Sequence, residues 1–194
     1  GRITIKGDRA ADWLESILTR QVRDLSVGRS RYTLITGVDS THETVQLSGD
    51  PVILDDAIVA RLGNFEDGGQ RFSLVVNASN RPRVVRWLKA CLPQEGVSLH
   101  DITEETAMIA VQGPQVFGCD QEGILAGPLA NIFSPEILGK IAALKNYGAL
   151  DTEFDGKPVL VSRSGYTGED GVEIIVSAVS AVVLWERLLE HNMA

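Results

Sequence analysis

The side chains best suited to chemistry sit in two places: the pair Asp55-Asp56 and the run Ser162-Arg163-Ser164-Gly165-Tyr166-Thr167-Gly168-Glu169-Asp170-Gly171-Val172-Glu173-Ile174. The run lies between two β-like segments, Val159-Leu160-Val161 and Ile174-Ile175-Val176. Gly165, Gly168 and Gly171 let the backbone turn tightly and leave room for a ligand against the main chain. Gly and Asp are also ordinary turn residues, so the same run reads as a plain hairpin with a polar tip. Tyr166, Thr167 and three carboxylates are more chemistry than such a tip requires. Glu169 and Asp170, at the tip, are expected to stay in solvent. Glu173 reads either as a solvated strand residue or as an acceptor for a ligand, with Val172, Ile174 and Val176 on the opposite face.

The segment Val52-Ile53-Leu54-Asp55-Asp56-Ala57-Ile58-Val59 is apolar at odd and even positions around its two carboxylates. A strand covered on both faces would give each face one Asp. Burying an ionised carboxylate without partners costs several kcal/mol. At least one of the pair therefore needs a donor, from backbone amides at a strand bend or from an amine or ring N–H of a ligand. Asn77 ends one strand and precedes a helix, a place suited to starting the turn or to bonding a ligand. Tyr32 and Tyr166 read as core tyrosines or as walls for a stacked ring.

Composition narrows the classes. A chain of 194 residues, 44% hydrophobic, can bury a substantial core. A net charge of −8 with scattered basic residues argues against a nucleic-acid surface. Arg81, Arg83 and Arg86 form the one close basic group and are expected to make a solvated helix face. No apolar run approaches the roughly 18 residues that span a bilayer, which argues against a membrane partner. His42, His100 and His191 lie far apart and the cysteines number two, Cys91 and Cys119, so no metal is assigned. Cys91 falls on an apolar helical stripe, which fits a buried thiol in a reducing compartment. The chain starts without Met in what looks like mid-strand, so a targeting segment could precede it. The cytoplasm is the expected location, with a mitochondrial matrix left open.

Four times a short strand pattern leads toward a helix. Ile3 and Ile5 alternate, Asp8 is expected to cap, and Trp13, Leu14, Ile17 and Leu18 form a stripe. Phe72, Leu74 and Val76 lead to a cap at Ser79 or Asn80, Pro82 in the first turn, and a stripe of Val84, Val85, Leu88, Cys91 and Leu92. Met108–Val111 is a third strand, with Gly113-Pro114 and later glycines obscuring the helix after it. Ile174–Val176 leads to a stripe of Ala181, Trp185 and Leu188, and Ser134-Pro135-Glu136 starts one more helix. Further strands are expected over Tyr32–Ile35, Thr44–Leu47 and Ile53–Arg61, with Gly37–Asp50 as a hairpin extension. The order predicts an α+β fold of two ferredoxin-like units mixing sheet and helix. The chain turns polar near Ser98–Thr106, which places the first unit at 1–104 and the second at 105–194.

Four segments give the chain a resemblance to a known family. Gly165-Tyr166-Thr167-Gly168-Glu169-Asp170-Gly171-Val172-Glu173 resembles the Gly-Tyr-Thr-Gly-Glu-x-Gly-x-Glu signature of the glycine-cleavage T-proteins, which are tetrahydrofolate-dependent aminomethyltransferases. Asp55-Asp56-Ala57-Ile58-Val59, Val75–Arg81 with Trp87-Leu88, and Ile109–Pro114 resemble other segments of that family in the same order. The resemblance implies a folate-binding domain. It places Asp55 beside the reacting nitrogens, with Asp56 as its substitute, and Glu173 against the pterin's amino edge. It also makes Asn77, Tyr166 and Tyr32 candidate folate contacts, and leaves Gln112-Gly113-Pro114 to shape a turn. The implied reaction moves an aminomethyl carbon from a lipoyl carrier protein of the H-protein type to tetrahydrofolate, with loss of ammonia and no metal. A folate-binding relative that is not a transferase, or the folate domain of a demethylase or sarcosine-type dehydrogenase, would share these segments. The Lys-Gly-Cys-Tyr hairpin of an iron–sulfur-linked branch is replaced here by Arg163-Ser164-Gly165-Tyr166. Gly49-Asp50-Pro51 departs from the family's shorter Gly-Gly turn. Members run to roughly twice this length, with an extra N-terminal segment, a C-terminal β-barrel and a later folate-binding Arg. The chain therefore resembles a fragment, with catalysis expected of the parent protein.

Overall fold

A computed structural model describes residues 1–38, 49–64 and 69–190. The expected strand Thr44–Leu47 and most of the Gly37–Asp50 extension fall outside them. The chain divides into two compact units, Gly1–Thr103 and Glu104–Ala194.

In the first unit, strand β1 (Arg2–Gly7) leads to helix α1 (Ala10–Ile17), then strands β2 (Arg29–Val38), β3 (Pro51–Leu62) and β4 (Gln70–Val76). Helix α2 (Arg81–Ala90) and strand β5 (Ser98–Asp101) complete it. The sheet runs β2-β3-β4-β1-β5 with antiparallel neighbours. Strands β1, β3, β4 and β5 with the two helices form a ferredoxin-like βαββαβ unit, and β2 is added beside β3.

Alternation decides the layers. Ile3, Ile5, Ala57, Val59, Phe72, Leu74 and Val76 are buried and form one core with Trp13, Leu14 and Ile17 of α1 and Val84 and Leu88 of α2. The helices therefore cover one sheet face. The start of α1 differs from expectation: its N-cap is Arg9, without a side-chain cap. The free amide of Ala11 is satisfied instead by the side chain of Gln70, at 2.9 Å. The buried indole of Trp13 donates to the carbonyl of Cys91 at 2.9 Å, tying α1 to the end of α2. The basic group on α2 is not simply solvated. Arg81 pairs with Asp101 on β5 at 2.9 Å, and Arg83 donates to the carbonyl of Leu54.

In the second unit, strand β6 (Thr106–Gln112) is followed by irregular chain with a short 3-10 turn at Pro128–Asn131, then helix α3 (Pro135–Ala142). Strands β7 (Ala149–Phe154), β8 (Lys157–Ser162) and β9 (Gly171–Ser177) lead to helix α4 (Ala181–Glu190). The sheet runs β6-β9-β8-β7, again antiparallel, so these strands repeat the order of β1, β4, β3 and β2. Ser134 caps α3 as its sequence predicts, accepting from the amide of Ile137. The β7–β8 turn is Asp155-Gly156, both at positive φ, as a two-residue hairpin with right-handed strands prefers.

Val172, Ile174 and Val176 join Leu184 and Leu188 of α4 in a second core. Trp185 does not: it is 52% exposed, and Leu184 takes the inward place expected of it. Adjacent residues on a helix are about 100° apart, so both cannot face one core. Among the described residues, no helix is long and apolar enough to cross a membrane.

Candidate functional site

The first constellation lies where β3 and β4 meet the start of α2. The β2–β3 register shifts between Ile35 and Thr36, with Ile35 opposite Asp55 and Thr36 opposite Ile53. Leu54 is thus the extra residue of a bulge. Bulged, Leu54 and Asp55 are both buried on the helix side, and Ala57 and Val59 continue that face. Asp56 takes the other face, together with Leu34, Tyr32 and Ile58, its neighbours in register.

Asp55 is 4% exposed, and three donors satisfy it. The backbone amide of Asn77 meets Oδ2 at 2.8 Å, while Oδ1 accepts from Asn77 Nδ2 at 2.9 Å and Asn80 Nδ2 at 2.6 Å. Its expected place beside a reacting nitrogen meets a physical obstacle, because the carboxylate points to the helix side and is held by the chain's own amides. Asn80 spends its side chain here, so it sits at the N-cap of α2 without making a cap bond. Asn77 also donates to Asp56 Oδ1 at 2.8 Å and so bridges the two carboxylates. Asp56 and Tyr32 remain partly exposed on the helix-free face of this unit.

The second constellation is the loop from β8 to β9. Glu173 pairs in register with Ser162 and Ala110, on the face opposite Val172 and Ile174. Its Oε2 accepts from the Ser164 hydroxyl at 2.5 Å, and the hydroxyls of Ser164 and Ser162 lie 3.0 Å apart. Gln112, at the end of β6, donates through Nε2 to the carbonyls of Ser164 and Val172, each at 3.0 Å. Its Oε1 accepts from the Thr167 hydroxyl at 3.3 Å. A Cβ at Gly165 would collide with this amide, and one at Gly171 with the carbonyl of Val111. Two of the loop's glycines are therefore set by close approach.

Tyr166 stands 79% exposed at the loop's tip. Glu169 and Asp170 are both exposed as expected, and Asp170 in addition has a protein partner. It forms a two-pronged ion pair with Arg163, 2.9 Å from Nε to Oδ1, and the hydrogen bond from Arg163 holds its carboxyl below the usual range. Arg163 also donates to the carbonyls of Ala142 and Leu144 and lies 4.9 Å from the centre of the Phe117 ring. Sequence reasoning missed Gln112, Ser164 and Arg163 as holders of this loop. No local signal joined Gln112 to the loop, since Ser164 lies 52 residues further along the chain.

Each unit thus presents carboxylate chemistry on the sheet face its helices leave uncovered. Comparison with known proteins shows the family of the chain. The family model of the GCVT N-terminal domain matches residues 1–194. The chain belongs to that family. An aminomethyltransferase of Chlorobium chlorochromatii (strain CaD3) is 34% identical over 195 residues, which cover 100% of this chain and 46% of that protein. One of Rubrobacter xylanophilus is 32% identical, across 100% of this chain and 44% of that protein. The crystal structure of glycine cleavage system aminomethyltransferase T from Bartonella henselae matches with a TM-score of 0.70 and 26% identity, covering 97% of this chain and 42% of that one. This GCVT N-terminal domain spans less than half the length of the relatives it matches. Among the described residues, no group of three His, Cys, Asp or Glu side chains could hold a metal ion.

Proposed function

We propose that this domain belongs to a tetrahydrofolate-dependent aminomethyltransferase of glycine cleavage and supplies its folate-binding residues. The family match along the whole chain carries this reading. The carbon of an aminomethyl group on a lipoyl sulfur of a carrier protein becomes the methylene bridge of 5,10-methylenetetrahydrofolate. The two N–H hydrogens lost by the folate leave on ammonia and on the lipoyl thiol, which balances the transfer. An intracellular, cytoplasmic setting accords with this chemistry.

Glu173 is the acceptor for the pterin's 2-amino group and neighbouring ring N–H. A carboxylate matches such a flat two-donor edge as it matches a guanidinium. Tyr166, exposed on the same loop, offers a ring for stacking. Of the aspartate pair, Asp56 is the one assigned to the reacting amines. Its carboxylate lies on the helix-free face beside Tyr32, where negative charge would stabilise the cationic carbon–nitrogen species formed during transfer. Asp55 acts behind it, holding Asn77, which in turn restrains Asp56.

Titration of the full-length protein with tetrahydrofolate, beside a transferase assay, tests this. Glu173→Ala should weaken binding by at least about tenfold, the size of a lost charged hydrogen bond. Asp56→Asn should lower turnover about a hundredfold while binding changes little, as for loss of one transition-state charge contact. Wild-type affinity in Glu173→Ala would remove Glu173 from the site.

A further inference from the structure

A carboxylate that must meet two donors in one plane needs its own plane fixed. Glu173 stands on β9 with apolar Ala110 on one register neighbour and Ser162 on the other. Among the described residues, the hydroxyl of Ser164 is its hydrogen-bond partner, at 2.5 Å to Oε2. A hydroxyl has one proton to give. Donated to Glu173, it leaves the Ser164 oxygen to accept from Ser162, so the two serines and the glutamate form a directed chain. Ser164 is not on a strand, and nothing in a ladder fixes its position. Gln112 does so, with Nε2 on the Ser164 carbonyl at 3.0 Å and its second proton on the Val172 carbonyl at 3.0 Å. The amide therefore clamps the chain just before the loop and just before Glu173.

We propose that Ser164 is a positioning residue for Glu173, orienting the carboxylate through its hydroxyl, and that Gln112 acts on the same carboxylate by fixing Ser164. The inference rests on the reading of Glu173 as the folate acceptor. Two glycines accord with the clamp, since a side chain at Gly165 or Gly171 would displace the Gln112 amide or its strand. Ser164 takes one lone pair of Oε2 and leaves each oxygen a lone pair for the two ligand donors, so folate meets a preset plane and less ordering is left to binding.

The test uses full-length protein, tetrahydrofolate titration and thermal unfolding. Ser164→Ala should raise Kd about tenfold with an unchanged melting temperature, because a partly buried hydroxyl on a loop contributes orientation more than stability. Ser164→Thr, which keeps the hydroxyl, should recover affinity to within about twofold. Gln112→Met keeps length but loses both donors and should also weaken binding. Combined with Ser164→Ala, it should add little, since both act on one carboxylate. Wild-type affinity in Ser164→Ala, failure of Thr to restore binding, or fully additive losses would each overturn the proposal. Glu173→Ala separates the two levels. If it alone abolishes binding, the folate reading stands and the positioning role falls; if it binds normally, the folate reading itself falls.

Discussion

Asp55 and Asp56 are chemically identical neighbours on opposite faces of β3, and the extra residue at Leu54 sets which of them turns inward. Asp55 is enclosed by neutral amides from Asn77 and Asn80. Removing a donor from a buried carboxylate leaves part of its desolvation cost unmet. Asn77→Ala should therefore destabilise the protein by about 2 kcal/mol, whereas Asp56→Asn should stay within about 0.5 kcal/mol of wild type. Urea unfolding of the two variants checks this, and equal losses would contradict the contrast between a buried and a partly exposed carboxylate. The pair itself was legible in sequence, as was the need of one member for donors. Which member turned inward was not, because a strand apolar at odd and even positions carries no phase. The bulge at Leu54, set by pairing with distant β2, supplied it.

At the scale of the element, the β8–β9 hairpin is held from outside as much as from within. Arg163 joins Asp170 to the end of α3 through the carbonyls of Ala142 and Leu144. The glycines and flanking strands announced a hairpin, and the signature within it pointed to Glu173. The ion pair could not be read, since the α3 carbonyls that steer Arg163 lie some 20 residues away. Its consequence is a pH dependence with a definite sign. The folded pKa of Asp170 is lowered, chiefly by the hydrogen bond from Arg163. Its contribution is complete above the ordinary Asp value near 3.9 and is lost as pH falls through the lower folded value. Carboxyl-carbon NMR should find Asp170 titrating below that ordinary range, and Arg163→Gln should move it upward. An ordinary titration in the parent protein would show that the pair does not persist in solution.

The whole molecule repeats one plan, and the repetition explains why both constellations fall on comparable ground. Helices α1 and α2 cover one face of the first sheet and α3 and α4 serve the second core, while Asp56 and Glu173 stand on the opposite faces, in register with Leu34 and Ala110. The strand–helix rhythm of the sequence predicted this α+β plan; the pairing order came from contacts too distant for periodicity to report. The two cores share no residue: Phe72 and Leu74 belong to one, Val161 and Ile174 to the other. A cavity cut in one core should then be felt first by its own sheet. Leu74→Ala and Ile174→Ala should each cost about 2–5 kcal/mol, as fully buried aliphatic truncations do. Native-state hydrogen exchange should show Leu74→Ala lowering protection mainly in β1, β3 and β4, and Ile174→Ala mainly in β6, β8 and β9. Equal loss in both sheets from either change would mean that the units unfold as one cooperative body, with the separation of their cores carrying no thermodynamic weight.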